Sequence, residues 1–533
     1  MKKLFAFLAT VALAIGLAGC EKDQSVETAQ AAADPNTLTC LAGSEVADVT
    51  PLLAQLMQET GVTLKLVSSG TLASVETLEA NPGQYDCGWF SHNKYLMLNE
   101  KVKGLVKGSE RIMTSPVILG VKAAKAKELG WTADGTTWAD VAKAARQGKF
   151  TFAMTSPASS NTGMSALIGV TAALSGADSA ITQDSIRKVE LSGFGRGQTL
   201  FSDSSGWLTS AFVKSLADPK GPDGMVNYES ELLKVNATQQ ANLTLIYPKE
   251  GIVTADYPLM LFNADKRAQF DKVAAFFKQD SIQTWLMTNT FRRPVSANVS
   301  PDAAKFGNHL LVDVPFPAKL DVIDELLTSY LDKQRMPGHV YFVLDTSGSM
   351  GGNGGIEQLR TALHNLTGAD ASLSGRYTRF RHREKVTVIE FAGGIKSMNT
   401  FTLGPDGQAM QVALKELGNY AGGLRADGGT AIFDAVAKAV QMAQDASKTE
   451  PGFLQSIVVM TDGQSNEGLS PKAFSRFYQG LPDDAKRIRI FGVLFGSDAS
   501  KEQIQMLADL SGGAVFDGSS SLSTVFKKIR GYQ

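Results

Sequence analysis

Five apolar runs in the last third of the chain constrain its fold more than any other feature. They are HVYFVLD (339–345), KVTVIEFAG (385–393), SIVVMTDG (456–463), RIRIFGVLFG (487–496) and AVFDG (514–518). They are rich in Val, Ile and Phe and do not alternate with polar residues, so each needs apolar cover on both faces. Helical patterns between the runs can supply that cover. The series predicts an α/β unit with a largely parallel sheet from 338 to 533, closed by SLSTVFKKIRGY (521–532) as the last helix, with Pro337-Gly338 at its junction.

In an open α/β sheet, ligands bind where strands end in loops at the carboxyl edge. The run VYFVLDTSGSM (340–350) leaves its strand through Asp345, Ser347 and Ser349, one carboxylate and two hydroxyls at every second position. Alone, this triplet serves equally as a helix cap. RADGGTAIFDAV (425–436) adds Thr430 in a Gly-rich loop that opens a helix, and Asp462 stands at the end of another apolar strand. Three strand-end loops thus offer oxygen donors of the kind a hard divalent cation takes. Asp-x-Ser-x-Ser, Gly-Gly-Thr and Thr-Asp-Gly in this order resemble the metal-ion-dependent adhesion site of the von Willebrand factor A domain, a doubly wound Rossmann-like fold. The resemblance implies Ser347, Ser349 and Thr430 as hydroxyl ligands of Mg²⁺ (or Mn²⁺ or Ca²⁺), with Asp345 and Asp462 binding directly or through water. It further implies that a carboxylate from a partner protein completes the coordination. GGNGGIEQ (351–358) reads as a mobile rim to the site or a flexible turn.

Between about 37 and 335, short apolar strands alternate with helical patterns, again an α/β signature. TLTCLAGSEVADVTPLLAQLMQETGVTLKLVSSG followed by YDCGWFSHNKYL resembles the first lobe of bacterial extracellular solute-binding proteins. MTSPVILGVK (113–122) is similar to their crossing to a second lobe, LIYPKEGIVTADYPLMLFN (245–263) to the return, and SIQTWLMTNTFRRPVS to the closing helix and its Arg-Pro tail. The implied fold is a two-lobed, periplasmic-binding-protein-like domain, with lobe 1 at about 37–115 and 256–335 and lobe 2 at about 116–255. Ser44 and Ser69 from lobe 1, and Ser160, Asn161 and Thr162 at a helix start in lobe 2, are candidates for a small solute or oxyanion; each also reads as an ordinary cap. Tyr247 and Asp256 sit at the return crossing, where hinge packing explains them equally. Cys40 and Cys87 lie in apparent strands and form either a disulfide or two small buried residues.

Lys2 and Lys3 precede an apolar run from Leu4 to Ala18 that closes on Leu-Ala-Gly-Cys. The run is shorter than the roughly 20 residues needed to span a bilayer, so 1–20 reads as an export signal. Its end resembles a lipoprotein lipobox, which implies acylation of Cys20 and a polar tether over 21–36. Glu21, which is not the Asp of inner-membrane retention, leans toward the outer membrane. A net charge of −1 in 533 residues offers no basic excess for nucleic acid. The basic run RYTRFRHREK (376–385) reads as a solvated loop or an interaction surface. P-loop, His-Glu-x-x-His and Gly-x-Ser-x-Gly patterns do not occur, which argues against an enzyme. The chain therefore reads as an envelope binding protein tethered to the membrane through lipid, its alternative being the substrate-binding accessory of a transporter.

Overall fold

The computed structural model describes residues 34–532, apart from 177–178, 190, 353, 406, 495–500 and 519–521. The expected export signal, Cys20 and most of the expected tether lie outside the described residues. No helix among the described residues is long and apolar enough to cross a membrane.

The described strands form three sheets. The first runs in the order Thr63–Ser68, Thr37–Ala42, Cys87–Trp89, Pro258–Leu261, Gly108–Arg111. Its first three strands are parallel, and Pro258–Leu261 returns antiparallel from far along the chain. The second sheet centres on the long strand Met113–Lys122, which carries Thr254–Ala255, Gly224–Tyr228, Leu243–Ile246 and Arg293–Pro294 as antiparallel neighbours. Phe152–Thr155 and Gln198–Ser202 extend it in parallel. The chain thus leaves one sheet at 112, builds the other, and returns at about 256, which yields two lobes.

Cys40 and Cys87 face each other in paired strands of the first sheet and are disulfide-bonded. Closing a loop with a sequence separation of 47 residues removes unfolded-chain entropy. Cys87→Ser is therefore expected to lower stability by about 3 kcal/mol, read from urea melts under oxidising conditions. A loss below about 1 kcal/mol would show that the bond only decorates a sheet already closed.

One segment departs from the expected lobes. Helix Leu320–Ser329 and its continuation to Gln334 do not join lobe 1 but pack on helices Gln183–Lys188 and Ser192–Gly197 of lobe 2. The helix buries an apolar stripe of Val322, Ile323, Leu326 and Leu327 in the core that both lobes share, and Arg187 of lobe 2 pairs with Glu325 at 3.1 Å beside it.

The third sheet runs Ile395–Thr402, Lys385–Phe391, Gly338–Asp345, Leu454–Thr461, Arg489–Leu494, Val515–Asp517. All neighbours are parallel except the edge strand Ile395–Thr402. Val340, Phe342 and Leu344 enter a core with Leu359, Leu363 and Phe526, while Tyr341 and Val343 enter another with Phe433, Val436 and Leu507. Two covered faces are why the strand is apolar at successive positions. In the Gly-rich segment after Met350, a helical turn spans Ser349–Gly352 and a helix spans Gly355–His364, with Gly354 at a φ of +69° that suits glycine just before the second.

The basic run at 376–385 is not a solvated loop. Arg381 and Glu384 are buried, Arg383 Nε donates to the Asp332 carbonyl at 2.9 Å, and Arg335 pairs with Glu384. These contacts lie at the amino ends of the third sheet's strands, so the C-terminal domain docks on the two-lobed domain by that edge. Its carboxyl edge stays on the far side.

Candidate functional site

At the carboxyl edge, the chain leaves Gly338–Asp345 toward Lys385–Phe391 on one side and returns to Leu454–Thr461 on the other. This is the switch point at which crevices form. Asp345, the last strand residue, is fully buried. Its Oδ1 accepts the Ser347 amide at 2.8 Å and its Oδ2 accepts the Thr461 hydroxyl at 2.5 Å. Burial pushes the Asp345 carboxyl above its ordinary pKa; the bonds from Thr461 and Ser347 oppose this, while the Asp462 charge adds to it.

The other donors gather around it. Ser347 Oγ lies 3.1 Å from Ser349 Oγ, which donates to Asp462 Oδ1 at 2.7 Å. Thr430 is held by the Asn466 side chain, which accepts its amide at 2.8 Å. The Gly348 amide donates to the Gly428 carbonyl at 3.0 Å and the Asp427 amide to the Thr346 carbonyl at 2.9 Å, binding the two loops together. A Cβ on Gly463 would stand 3.7 Å from Ser349 Oγ and 3.9 Å from Thr430 Oγ1, so the third loop closes over the same point.

All five residues singled out in the sequence thus converge, two of them carboxylates and three hydroxyls. That set of hard oxygen donors fits Mg²⁺, Mn²⁺ or Ca²⁺. Among the described residues no cluster of three or more His, Cys, Asp and Glu side chains could hold a metal, so a cation here depends on the hydroxyls. Sequence reasoning missed Glu467. Its carboxylate lies in a notch floored by Gly393 and Gly429, where any Cβ would strike it. Its backbone amide donates to the Thr430 carbonyl at 3.1 Å, putting a further negative group at the rim.

The cleft candidates fare unevenly. The lobes touch where a Cβ on Gly70, next to Ser69, would come within 2.8 Å of the Ser159 carbonyl. Ser160 caps helix Asn161–Ser175 through the Thr162 amide at 3.3 Å. Thr162 Oγ1 is engaged with Ser205 Oγ at 2.6 Å. Ser44 is exposed at the start of the turn Ser44–Leu52, and no hydrogen bond links it to the other four among the described residues.

Between the lobes, Asn161 is joined by residues that the sequence did not single out. His92 of lobe 1 is fully buried and its Nε2 lies 3.0 Å from Ser165 Oγ of lobe 2. Burial, with Lys94 nearby, lowers its pKa to about 3, so the ring is neutral. His92 Nδ1, Ser91 Oγ, Thr155 Oγ1 and Asn161 Oδ1 are buried without a hydrogen-bond partner. Asn161 was among the sequence candidates, whereas His92, Ser91 and Thr155 stand in the sequence only as lone His, Ser and Thr residues, which are common everywhere.

Two adjacent arginines bind the tail to both lobes. Arg292 grips Asp48 at 2.7 and 2.6 Å in lobe 1, over the Tyr257 ring; Arg293 grips Glu229 at 2.7 Å through two nitrogens in lobe 2. Tyr247 also donates to Glu229, at 2.5 Å, so this crossing residue serves packing. Asp256 has one buried oxygen without a partner, and burial raises its pKa.

Comparison with known proteins divides the chain in the same way. Residues 38–291 match the family model of the bacterial extracellular solute-binding protein, and residues 339–530 match that of the von Willebrand factor type A domain. The chain carries both domains. The inter-alpha-trypsin inhibitor heavy chain H4 of Sus scrofa is 28% identical over 182 residues, 33% of this chain and only 18% of that protein's length. Among solved structures, the periplasmic binding protein AfuA from Actinobacillus pleuropneumoniae, with fructose-6-phosphate bound, is 14% identical and covers 56% of this chain and 98% of its own, at a TM-score of 0.44. A von Willebrand factor type A protein from Catenulispora acidiphila is 19% identical, covering 37% of this chain and 43% of its own, at a TM-score of 0.28.

Proposed function

We propose that this is a lipid-anchored envelope protein that binds rather than catalyses, docking a carboxylate-bearing partner protein through a divalent cation held by Asp345, Ser347, Ser349, Thr430 and Asp462. The carrying observation is the 2.7 Å bond from Ser349 to Asp462, which joins two loops 113 residues apart around the buried Asp345. When bound, the cation would act as a Lewis acid with a coordination position left for an outside carboxylate. Three of the five donors are neutral hydroxyls, so the site would balance the ion's charge with only two carboxylates and leave it able to take a further oxygen ligand from outside. The buried hydrogen bonds of Asp345 orient the loop, and the edge faces away from the two-lobed domain. Cys20 would supply the anchor, with the outer membrane favoured over the inner by Glu21.

A second reading, a transporter accessory that captures a small solute, is favoured by the unpartnered buried groups at His92, Ser91, Thr155 and Asn161. These offer acceptors and hydroxyls suited to a small polar ligand.

The test is capture of a partner from envelope extracts with the full chain. Capture is expected with Mg²⁺ and lost with EDTA. Asp462→Asn and Ser349→Ala are better probes than Asp345→Ala, since Asp345 also holds Ser347 and Thr461 in a buried network. Either probe is expected to weaken Mg²⁺-dependent capture at least about tenfold, the scale of one lost charge-assisted contact. Capture indifferent to EDTA and to both substitutions would sink the metal-docking reading. Calorimetric titration with oxyanions, amino acids and sugars addresses the cleft; a micromolar ligand there favours the accessory reading.

A further inference from the structure

The C-terminal domain touches both lobes, and it does so behind the two loops that meet across the cleft. On the lobe 1 side, helix Leu373–Thr378 packs on helix Thr71–Ala80, and the Ser374 amide and hydroxyl both donate to the Glu76 carboxylate at 2.6 Å. Helix Thr71–Ala80 begins immediately after Gly70, the residue against the Ser159 carbonyl. On the lobe 2 side, the Tyr532 ring meets Trp207 edge-on at 4.5 Å, and the Arg489 guanidinium lies over Trp207 at 5.3 Å. Arg487 also pairs with Asp218 at 2.7 Å. A Cβ on Gly531 would collide with Asp203, whose carbonyl accepts Ser159 Oγ at 3.3 Å.

The two contact patches belong to one rigid piece. Arg530 Nε donates to the Thr378 carbonyl at 2.9 Å, and Lys527 reaches Ser374 at 2.8 Å, tying the last helix to Leu373–Thr378. The attachments are unequal. Lobe 2 holds the domain by the Trp207 stack and the Asp218 pair, and through the segment before the junction: Tyr330 bonds Gln198 and Asp324 accepts Tyr377 at 2.5 Å. On lobe 1, hydrogen bonding among the described residues runs through Glu76, beside the apolar packing of Leu373 and Tyr377.

We propose that the C-terminal domain travels with lobe 2 and latches lobe 1 through Glu76, so that opening the cleft undocks helix Leu373–Thr378 from helix Thr71–Ala80. Closure of the lobes and seating of the C-terminal domain are then one event: a solute that closes the cleft stabilises the seated domain, and loss of the seat favours the open cleft. The latch stands whether or not the metal-docking reading does, because it lies at the opposite edge of the third sheet.

The experiment uses the full chain with spin labels at Lys103→Cys in lobe 1 and Lys149→Cys in lobe 2, both exposed. Inter-lobe distances and amide exchange are read together. Glu76→Ala is expected to add a longer inter-lobe distance and to speed exchange at 373–378 at least about tenfold, the loss of two charge-assisted bonds. Ser374→Ala, which keeps the amide donor to Glu76 but removes the hydroxyl bonds to Glu76 and Lys527, should shift both readouts in the same direction by less. Exchange in strand Gly338–Asp345 checks that the fold is intact, and Glu76→Gln, which keeps an acceptor, replaces Glu76→Ala if that check fails. Faster exchange at 373–378 with unchanged inter-lobe distances would overturn the latch, as would no change in either.

Discussion

Replacing Glu384 with alanine is expected to destabilise the protein by about 3–5 kcal/mol, the usual result of stripping one partner from a buried ion pair. Glu384 is almost completely buried at the domain junction. Both of its oxygens accept from Arg530 at 2.8 Å, one is paired with Arg335, and the Arg381 amide donates at 2.8 Å. Burial acts to raise its pKa, but Arg530 and Arg335 overcome that and hold the carboxyl below the ordinary glutamate range. Without it, two guanidiniums and an amide are left in a site closed to water. Glu384→Gln, which keeps hydrogen-bond acceptance but loses the charge, should fall between. Urea unfolding followed by fluorescence gives the numbers. A loss under about 1 kcal/mol for the alanine variant would mean that water or other side chains replace the carboxylate.

The second large effect is on pH dependence. His92 has a folded pKa of about 3 against an ordinary value of 6.5, so folding favours its neutral form. The sign follows directly: the unfolded chain binds the proton first, and the contribution of His92 to stability is complete above about pH 6.5. It is lost as pH falls toward 3, at up to about 1.4 kcal/mol per pH unit and on the order of 5 kcal/mol in all. His339, lowered to about 4 by burial, adds a similar slope from the C-terminal domain. Comparison of wild type with His92→Gln at pH 7.5, 5.5 and 4.5 isolates the first. The variant's stability should fall less steeply below pH 6.5. Parallel curves for the two proteins would show that His92 reaches solvent without unfolding.

The five converging oxygen donors were legible in the sequence because they sit at strand ends and helix starts, positions that local pattern determines. The five apolar runs told the same way: a strand apolar at successive positions has one stable setting, between two helix layers. Glu467 escaped because nothing local marks a carboxylate that nests on glycines 74 and 38 residues earlier, at Gly393 and Gly429. The basic run misled for a related reason: Arg381 and Arg383 look solvated until Asp332, from before the domain junction, closes on both of them.

By itself, the sequence determined that the chain is α/β throughout, that it divides near Pro337, and that Asp345, Ser347, Ser349, Thr430 and Asp462 stand at loop positions able to share an ion. Periodicity and turn chemistry are local, so one strand or helix carries the information. Only the tertiary structure decided that Cys40 meets Cys87, that helix Leu320–Ser329 rides on lobe 2, that His92 is buried neutral against Ser165, and that Glu76 reaches Ser374 across domains. Those are pairings between distant segments. Their energies arise from burial and charge compensation at contacts that no single segment contains.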